Sequence, residues 1–223
     1  MLFLGPFYTW IAGRMAATVN HWPLIRLIIY SLDKTILYTL IFVVVRTIWL
    51  VCRHQRVRWW HEVGLLLFVV YLILLLALTV FRGAQIYFPW NLHPDWGRDT
   101  SVINLRPLVG SWQLFNGTTR LDFYYQTFGN VLWFMPLGLL WPALGRRGHR
   151  LWGTACLSLL LSLGIECWQF LLATGIADID DVIFNFIGGL VGYAFTALVG
   201  VYVVDHDTKK NVVLNNEHHV CVY

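Results

Sequence analysis

Glu166, Gln169, Asp178, Asp181 and Asn185 place three carboxyls and two amides within and between two apolar stretches near the end of the chain. A carboxylate at membrane depth costs about 2.5–3.5 kcal/mol on insertion scales unless it faces a partner or a water-filled cavity. Such groups are candidates for acid–base work or for holding a polar headgroup. At 100° per residue, Asp178, Asp181 and Asn185 fall within about 60° on one helix face, with Asp180 opposite. On the preceding helix Ser162, Glu166 and Gln169 form a stripe of similar width, extended by Ser158, and Glu166 lies roughly 9 Å from the helix end near Leu172. Two such stripes on consecutive antiparallel helices predict a polar pocket just below one membrane surface. Glu166 would be a partly desolvated carboxyl and Asp181 a more exposed partner, so that acid and base roles separate. A purely structural alternative has Glu166, Gln169 and Asn185 hydrogen-bonding the helices together, with Asp178 and Asp181 as N-cap and first-turn acids. An all-oxygen set suits Mg²⁺ or Ca²⁺. No further carboxylate is fixed nearby, however, and His149, His206, His218 and His219 lie beside a basic cluster or in the tail, so no metal or cofactor is expected.

The elements that must position these groups are membrane spans. The 223 residues are 58% hydrophobic and 13% charged, with mean hydropathy +0.61, outside the range of soluble globular chains. Apolar runs at 35–52, 63–81, 129–144, 151–173 and 182–204 predict an all-α, polytopic transmembrane bundle of about five spans. The segment Leu2–Tyr30, broken by Arg14, His21, Pro23 and Arg26, reads as an interfacial or partly inserted helix rather than a cleavable signal. Residues 1–82 thus form an amino-terminal region with two spans, 83–204 a second region with an aromatic loop and three spans, and 205–223 a polar tail. The net charge of +4 comes from short basic clusters beside apolar runs, a topology signal and not a nucleic-acid surface. Clusters at Arg53–Arg58, Arg146–Arg150 and Lys209–Lys210 point to the cytoplasm, which sets the Arg82–Phe128 loop and the Asp178–Asp181 turn outside; Arg14, Arg26 and Lys34 argue the other way. Cys52, Cys156, Cys167 and Cys221 lack metal-ligand spacing and read as buried apolar thiols. Trp49, Trp59, Trp60, Trp141 and Trp152 read as interfacial anchors, and Arg46 as a snorkelling cation.

The outer loop carries ten aromatic residues from Tyr87 to Phe128, a density that predicts contact with headgroups or a lid over the pocket. Within it, Asn104-Leu-Arg-Pro-Leu108 sets the Arg106 guanidinium beside a rigid proline, suited to a carboxylate or a phosphate. Asn130 opens the third span, placed either to join the polar cluster or to cap its own helix. Gly188 and Gly192 share the face of Asp181 and Asn185 and permit close helix approach.

Asn104–Leu108, Gly129-Asn-Val-Leu-Trp-Phe-Met-Pro-Leu-Gly138, Ile165-Glu-Cys-Trp-Gln169 and Asp178-Ile-Asp-Asp-Val-Ile-Phe-Asn-Phe-Ile-Gly-Gly189 together resemble the VanZ-like family in order and spacing, over about 105–193. The resemblance implies a multi-pass protein of the bacterial cell membrane, in a family whose namesake gives low-level resistance to the lipid-tailed glycopeptide teicoplanin in Gram-positive bacteria without altering the peptidoglycan precursor terminus. It brings no established enzymatic activity. Carried over residue by residue are Arg106, Asn130, Glu166, Gln169, Asp178, Asp181 and Asn185. Family members commonly show Gly-Arg before the acidic motif; here Ile176 follows Gly175, which shifts anion recognition to Arg106. The first expectation is an envelope factor binding a lipoglycopeptide, a membrane lipid or a lipid-linked envelope molecule at an extracytoplasmic pocket. The second is an intramembrane hydrolase or transferase on a lipid-linked substrate, with Glu166, Asp181 and Asp178 as candidate catalytic groups and Arg106, Asn130, Gln169 and Asn185 as binding groups. Coupled transport ranks last, since five spans show no internal repeat.

Overall fold

A computed structural model describes residues 1–16, 18–55, 57–83, 87–88, 91–109, 112, 115, 120–144 and 150–220, with 120–123, 125, 150 and 200–220 described by their backbone alone. Among the described residues six α-helices follow one another: α1 (Gly5–Met15), α2 (Trp22–Cys52), α3 (Trp59–Thr79), α4 (Arg120–Leu144), α5 (Arg150–Leu171) and α6 (Ile179–Val220). No strand occurs among the described residues. Helices α2 to α6 each contain a stretch long and apolar enough to cross a bilayer, so the chain is a multi-pass membrane protein.

The helix lengths set the levels of the polar groups. With 21 residues, α3 is about 32 Å long and matches the hydrocarbon core. The 31 residues of α2 reach about 46 Å and overshoot it. Six residues separate the two in sequence, and α3 stops opposite Ser31 to Lys34. There Ser31 Oγ donates to the Ala77 carbonyl at 3.2 Å, and Lys34 Nζ donates to the Phe81 and Gly83 carbonyls at 2.7 and 2.8 Å. The first turns of α2 extend past that level, and α1 folds against them with Tyr8 packed on Trp22 and Tyr30. Leu2–Tyr30 is therefore not a sixth span: the 11 residues of α1 reach only about 16 Å, and Trp22–Tyr30 belongs to α2. The helix that carries the first span accordingly begins well before Thr35.

Phe68, Leu75, Val80, Phe134, Leu137 and Ile165 form the buried core between α3, α4 and α5. In lipid such burial gives little hydrophobic driving force, and close packing has to hold helices together. Between α4 and α6 the backbones touch. A Cβ on Gly138 would overlap the Gly189 carbonyl and the Tyr193 amide, one on Gly188 the Val131 carbonyl, and one on Gly192 the Met135 carbonyl. The predicted Gly188/Gly192 face is thus a contact surface, and Gly138 is its counterpart.

Three expectations are corrected. Cys52, Cys156 and Cys167 are free and exposed on the bundle surface, because lipid offers an apolar residue as good a surrounding as protein does; Cys221 lies outside the described residues. Trp141 packs on Phe68 with ring centroids 5.7 Å apart, while Trp59, Trp60 and Trp152 stay exposed. Arg46 makes a bidentate pair with Glu62, 2.8 Å for each contact, and covers the Trp49 ring.

Candidate functional site

The end of α5 is fixed by its own chain geometry. Ala173 adopts a left-handed φ of 52°, which turns the Ala173 and Thr174 amides back onto the Phe170 and Gln169 carbonyls at 3.2 and 3.0 Å, the hydrogen-bond pattern that commonly closes a helix. Arg98 adds a charged cap: its Nη1 donates to the Gln169 and Phe170 carbonyls and the guanidinium lies 5.0 Å from the Phe170 ring centroid. The chain then turns and α6 begins at once, capped by Asp178, whose Oδ1 accepts the Asp180 amide at 2.9 Å.

Onto this turn docks the Asn104–Leu108 segment. Asn104 N–H donates to the Ala177 carbonyl at 2.9 Å and Ile179 N–H to the Asn104 carbonyl at 3.0 Å, a single parallel bridge. The Asn104 amide donates to both Asp178 oxygens, at 3.1 and 3.0 Å. At the other end of the segment, where Leu108 has φ 61°, its N–H donates to Asp180. The two acids that start α6 therefore hold both ends of the Arg106 loop. Arg106 stands exposed at its apex, its N–H on Asn104 Oδ1, and no ion pair of its guanidinium is found among the described residues.

Below the loop lie the carboxyls of Glu166 and Asp181, near enough for the charge of one to act on the other. Glu166, 6% exposed, accepts the Asp178 N–H through Oε2 at 3.0 Å, and the charges of Asp181, Asp178 and Arg82 act on it. Asp181 is half-buried and accepts the side-chain amides of Asn130 and Gln126 from α4. Three helices thus contribute to one polar cluster, and Asn130 joins it instead of capping its own helix. Gln169 and Asn185 commit their amides to the bundle: Gln169 Nε2 donates to the Thr79 carbonyl that ends α3, at 3.1 Å, and Asn185 Nδ2 to Ser162 Oγ at 2.9 Å. The stripes on α5 and α6 do face one another, as their spacing predicts. Among the described residues no group of three His, Cys, Asp or Glu side chains is placed to hold a metal ion.

Two features differ from expectation. Asp181 is tied down by two amides where a more exposed carboxyl was anticipated, because α4 enters the cluster through Gln126 as well as Asn130. Asp180 lies on the face opposite Asp181, as its spacing predicts, but is 1% exposed, because the Leu108 end of the loop covers it. Arg98, Asn104, Gln126 and Asp180 are site-forming residues that helix-face geometry did not single out; the proximity of Asn104 to Arg106 was the one available signal. Two cavities among the described residues lie away from the cluster. One, of about 200 Å³, lies beside Lys34 and Tyr87, and the other between α4 and α6 around Thr196.

No curated protein and no solved structure showed significant similarity to the chain. The family model for VanZ/LLP1 matches residues 68–200, from within α3 through the apolar part of α6, and so includes every group of the polar cluster. That span is more than half of the sequence, and the chain belongs to the VanZ/LLP1 family.

Proposed function

We propose that this membrane protein is an envelope factor that limits the action of lipid-tailed glycopeptides of the teicoplanin type in a Gram-positive host, with the Glu166–Asp181 cluster on the extracytoplasmic side. The observation that carries the reading is the construction of one end of the bundle. Asp178 and Asp180 clamp the Arg106 loop at the end of the bundle that holds Glu166 and Asp181, and the loop carries Arg106 exposed. An arrangement of this kind suits a large amphiphile whose polar part carries both charges and whose lipid tail enters the bilayer. Expression in a sensitive Gram-positive host, with teicoplanin and vancomycin susceptibility measured side by side, tests it: reduced teicoplanin susceptibility is expected, and equal susceptibility with and without the protein defeats it. Labelling of single cysteines at Ile176, exposed in the turn before the acidic motif, and at Arg147 from outside intact cells tests the orientation.

A second reading, an intramembrane hydrolase or transferase on a lipid-linked envelope substrate, is supported by the unlike partners of the two acids. Glu166 takes a backbone N–H and Asp181 takes side-chain amides, an asymmetry that lets one act as acid and the other as base. Lipid and wall-precursor profiles of the host carrying Glu166→Gln or Asp181→Asn decide it, since catalysis requires both to differ from wild type.

A further inference from the structure

Lys34 is 2% exposed and sits where α3 ends, at the edge of the hydrocarbon layer on the same end of the bundle as Gln169 and Glu166. Its ammonium donates to the Phe81 and Gly83 carbonyls and lies 5.4 Å from the Tyr87 ring centroid. No carboxylate lies within ion-pair distance of it among the described residues. The neighbouring Asp33, wholly buried, accepts the Leu2, Phe3 and Leu4 amides and the Tyr87 hydroxyl instead. An ammonium has three donors, and the two carbonyls engage two of them. Beside it opens the cavity of about 200 Å³, lined by Lys34, Tyr38, Leu76, Phe81, Tyr87 and Phe88 among others, almost all of its wall apolar.

The combination is a built site: a buried cation with no counter-ion among the described residues, and an apolar chamber leading from it along α3. We propose that this chamber binds an anionic amphiphile, with a headgroup carboxylate or phosphate oxygen on Lys34 and a length of acyl chain against Leu76 and Phe81. The volume is below the roughly 300–1,000 Å³ of pockets that enclose a drug-sized ligand, so it takes part of one chain while the remainder runs into the bilayer. Tyr87 closes the site from the loop side. Its hydroxyl is tied to Asp33 at 2.8 Å, and its carbonyl accepts the Tyr38 hydroxyl, so the amino-terminal strap at Leu2–Leu4, Asp33 and the chamber wall form one unit. Lys34 and Tyr38 precede the family-matched region, and the site stands apart from the Glu166–Asp181 cluster.

The test uses the purified full chain in nanodiscs of zwitterionic phosphatidylcholine, with retained lipid measured by native mass spectrometry after addition of either oleate or phosphatidylglycerol. Wild type is expected to retain one anionic molecule in marked preference to phosphatidylcholine. Retention of oleate alone identifies a free fatty acid, of phosphatidylglycerol alone a resident phospholipid, and of both the shared headgroup chemistry. Lys34→Gln is expected to lower retention about tenfold and Lys34→Arg to preserve it. Leu76→Trp, which fills the chamber and leaves the cation in place, is expected to abolish retention even if Lys34→Gln fails to fold. Glu166→Gln is expected to retain as wild type does, so the result is independent of the proposed role of the polar cluster. No preference for either anion over phosphatidylcholine, or full retention by Leu76→Trp, overturns the proposal.

Discussion

Exchange of Glu166 for glutamine separates what this carboxylate does for the fold from what its charge does for function. In the folded protein Oε2 accepts the Asp178 N–H at 3.0 Å in a nearly closed site. Glutamine offers an amide oxygen of the same reach, so that N–H stays paired. The loss is the difference between a hydrogen bond to a charged acceptor, about 1.5–3 kcal/mol, and a neutral one, about 0.5–1.5 kcal/mol, hence about 1 kcal/mol. On the other side of the balance, a carboxylate at membrane depth carries an insertion cost of about 2.5–3.5 kcal/mol, and Glu166 also faces the charges of Asp181 and Asp178. Glu166→Gln is therefore expected to match or exceed wild-type stability by up to about 2 kcal/mol. Glu166→Ala leaves the Asp178 amide buried without an acceptor and falls below Glu166→Gln by about 1–3 kcal/mol. Unfolding of the purified proteins in detergent micelles reads these differences, and glycopeptide susceptibility measured on the same variants reads function. If the charge works, glutamine loses the phenotype while keeping the fold. Glutamine as destabilising as alanine would refute the energetic argument, and glutamine with the full phenotype would refute a functional role for the carboxylate.

Gly138→Ala forces a Cβ into the backbone of α6; overpacking of about 1–3 kcal/mol outweighs the gain of up to about 1 kcal/mol from helix propensity. Gly164→Ala, which meets nothing within 4 Å, should be neutral or stabilising, and equal unfolding midpoints for the two variants would contradict the described α4–α6 contact. Asn104→Ala removes both donors to Asp178 and is expected to raise amide exchange at Ile179 about tenfold, the equivalent of about 1.4 kcal/mol; unchanged exchange would mean that the backbone bridge alone seats the loop. The Tyr87 hydroxyl is held well above the ordinary tyrosine value, first by burial and then by its bond to Asp33. The folded protein therefore keeps a proton that the unfolded chain releases above about pH 10. The Tyr87 contribution is complete below that pH and is lost as pH rises toward the folded value, so the stability gap between wild type and Tyr87→Phe should shrink by about 1.4 kcal/mol per pH unit above 10. A constant gap to pH 11 would count against the Asp33–Tyr87 bond.

How far the sequence reveals this architecture depends on what each polar group has for a partner. The five spans are legible as apolar runs, the α5–α6 contact as matching stripes through Ser162 and Asn185, and the close approach of α6 to α4 as the absence of side chains at Gly188 and Gly192, all at helical spacing. Asn130 likewise meets Asp181, side chain to side chain. The illegible part has the opposite character. Asp33 is held by the amides of Leu2 to Leu4, Lys34 by the carbonyls of Phe81 and Gly83, Gln169 by that of Thr79 and Asp180 by the amide of Leu108. Every residue other than proline supplies such an amide and every residue such a carbonyl, so these partners leave no mark in the sequence, and they come from 29 to 90 residues away. A charged pair at Asp33–Lys34 therefore reads as a break before a span, although it lies inside a continuous helix. The same property makes these groups informative once the fold is known. Backbone partners satisfy a side chain without cancelling its charge, so Lys34 remains a cation and Glu166 a candidate anion in the membrane, each available to a ligand of opposite sign in a way that a closed ion pair such as Arg46–Glu62 is not.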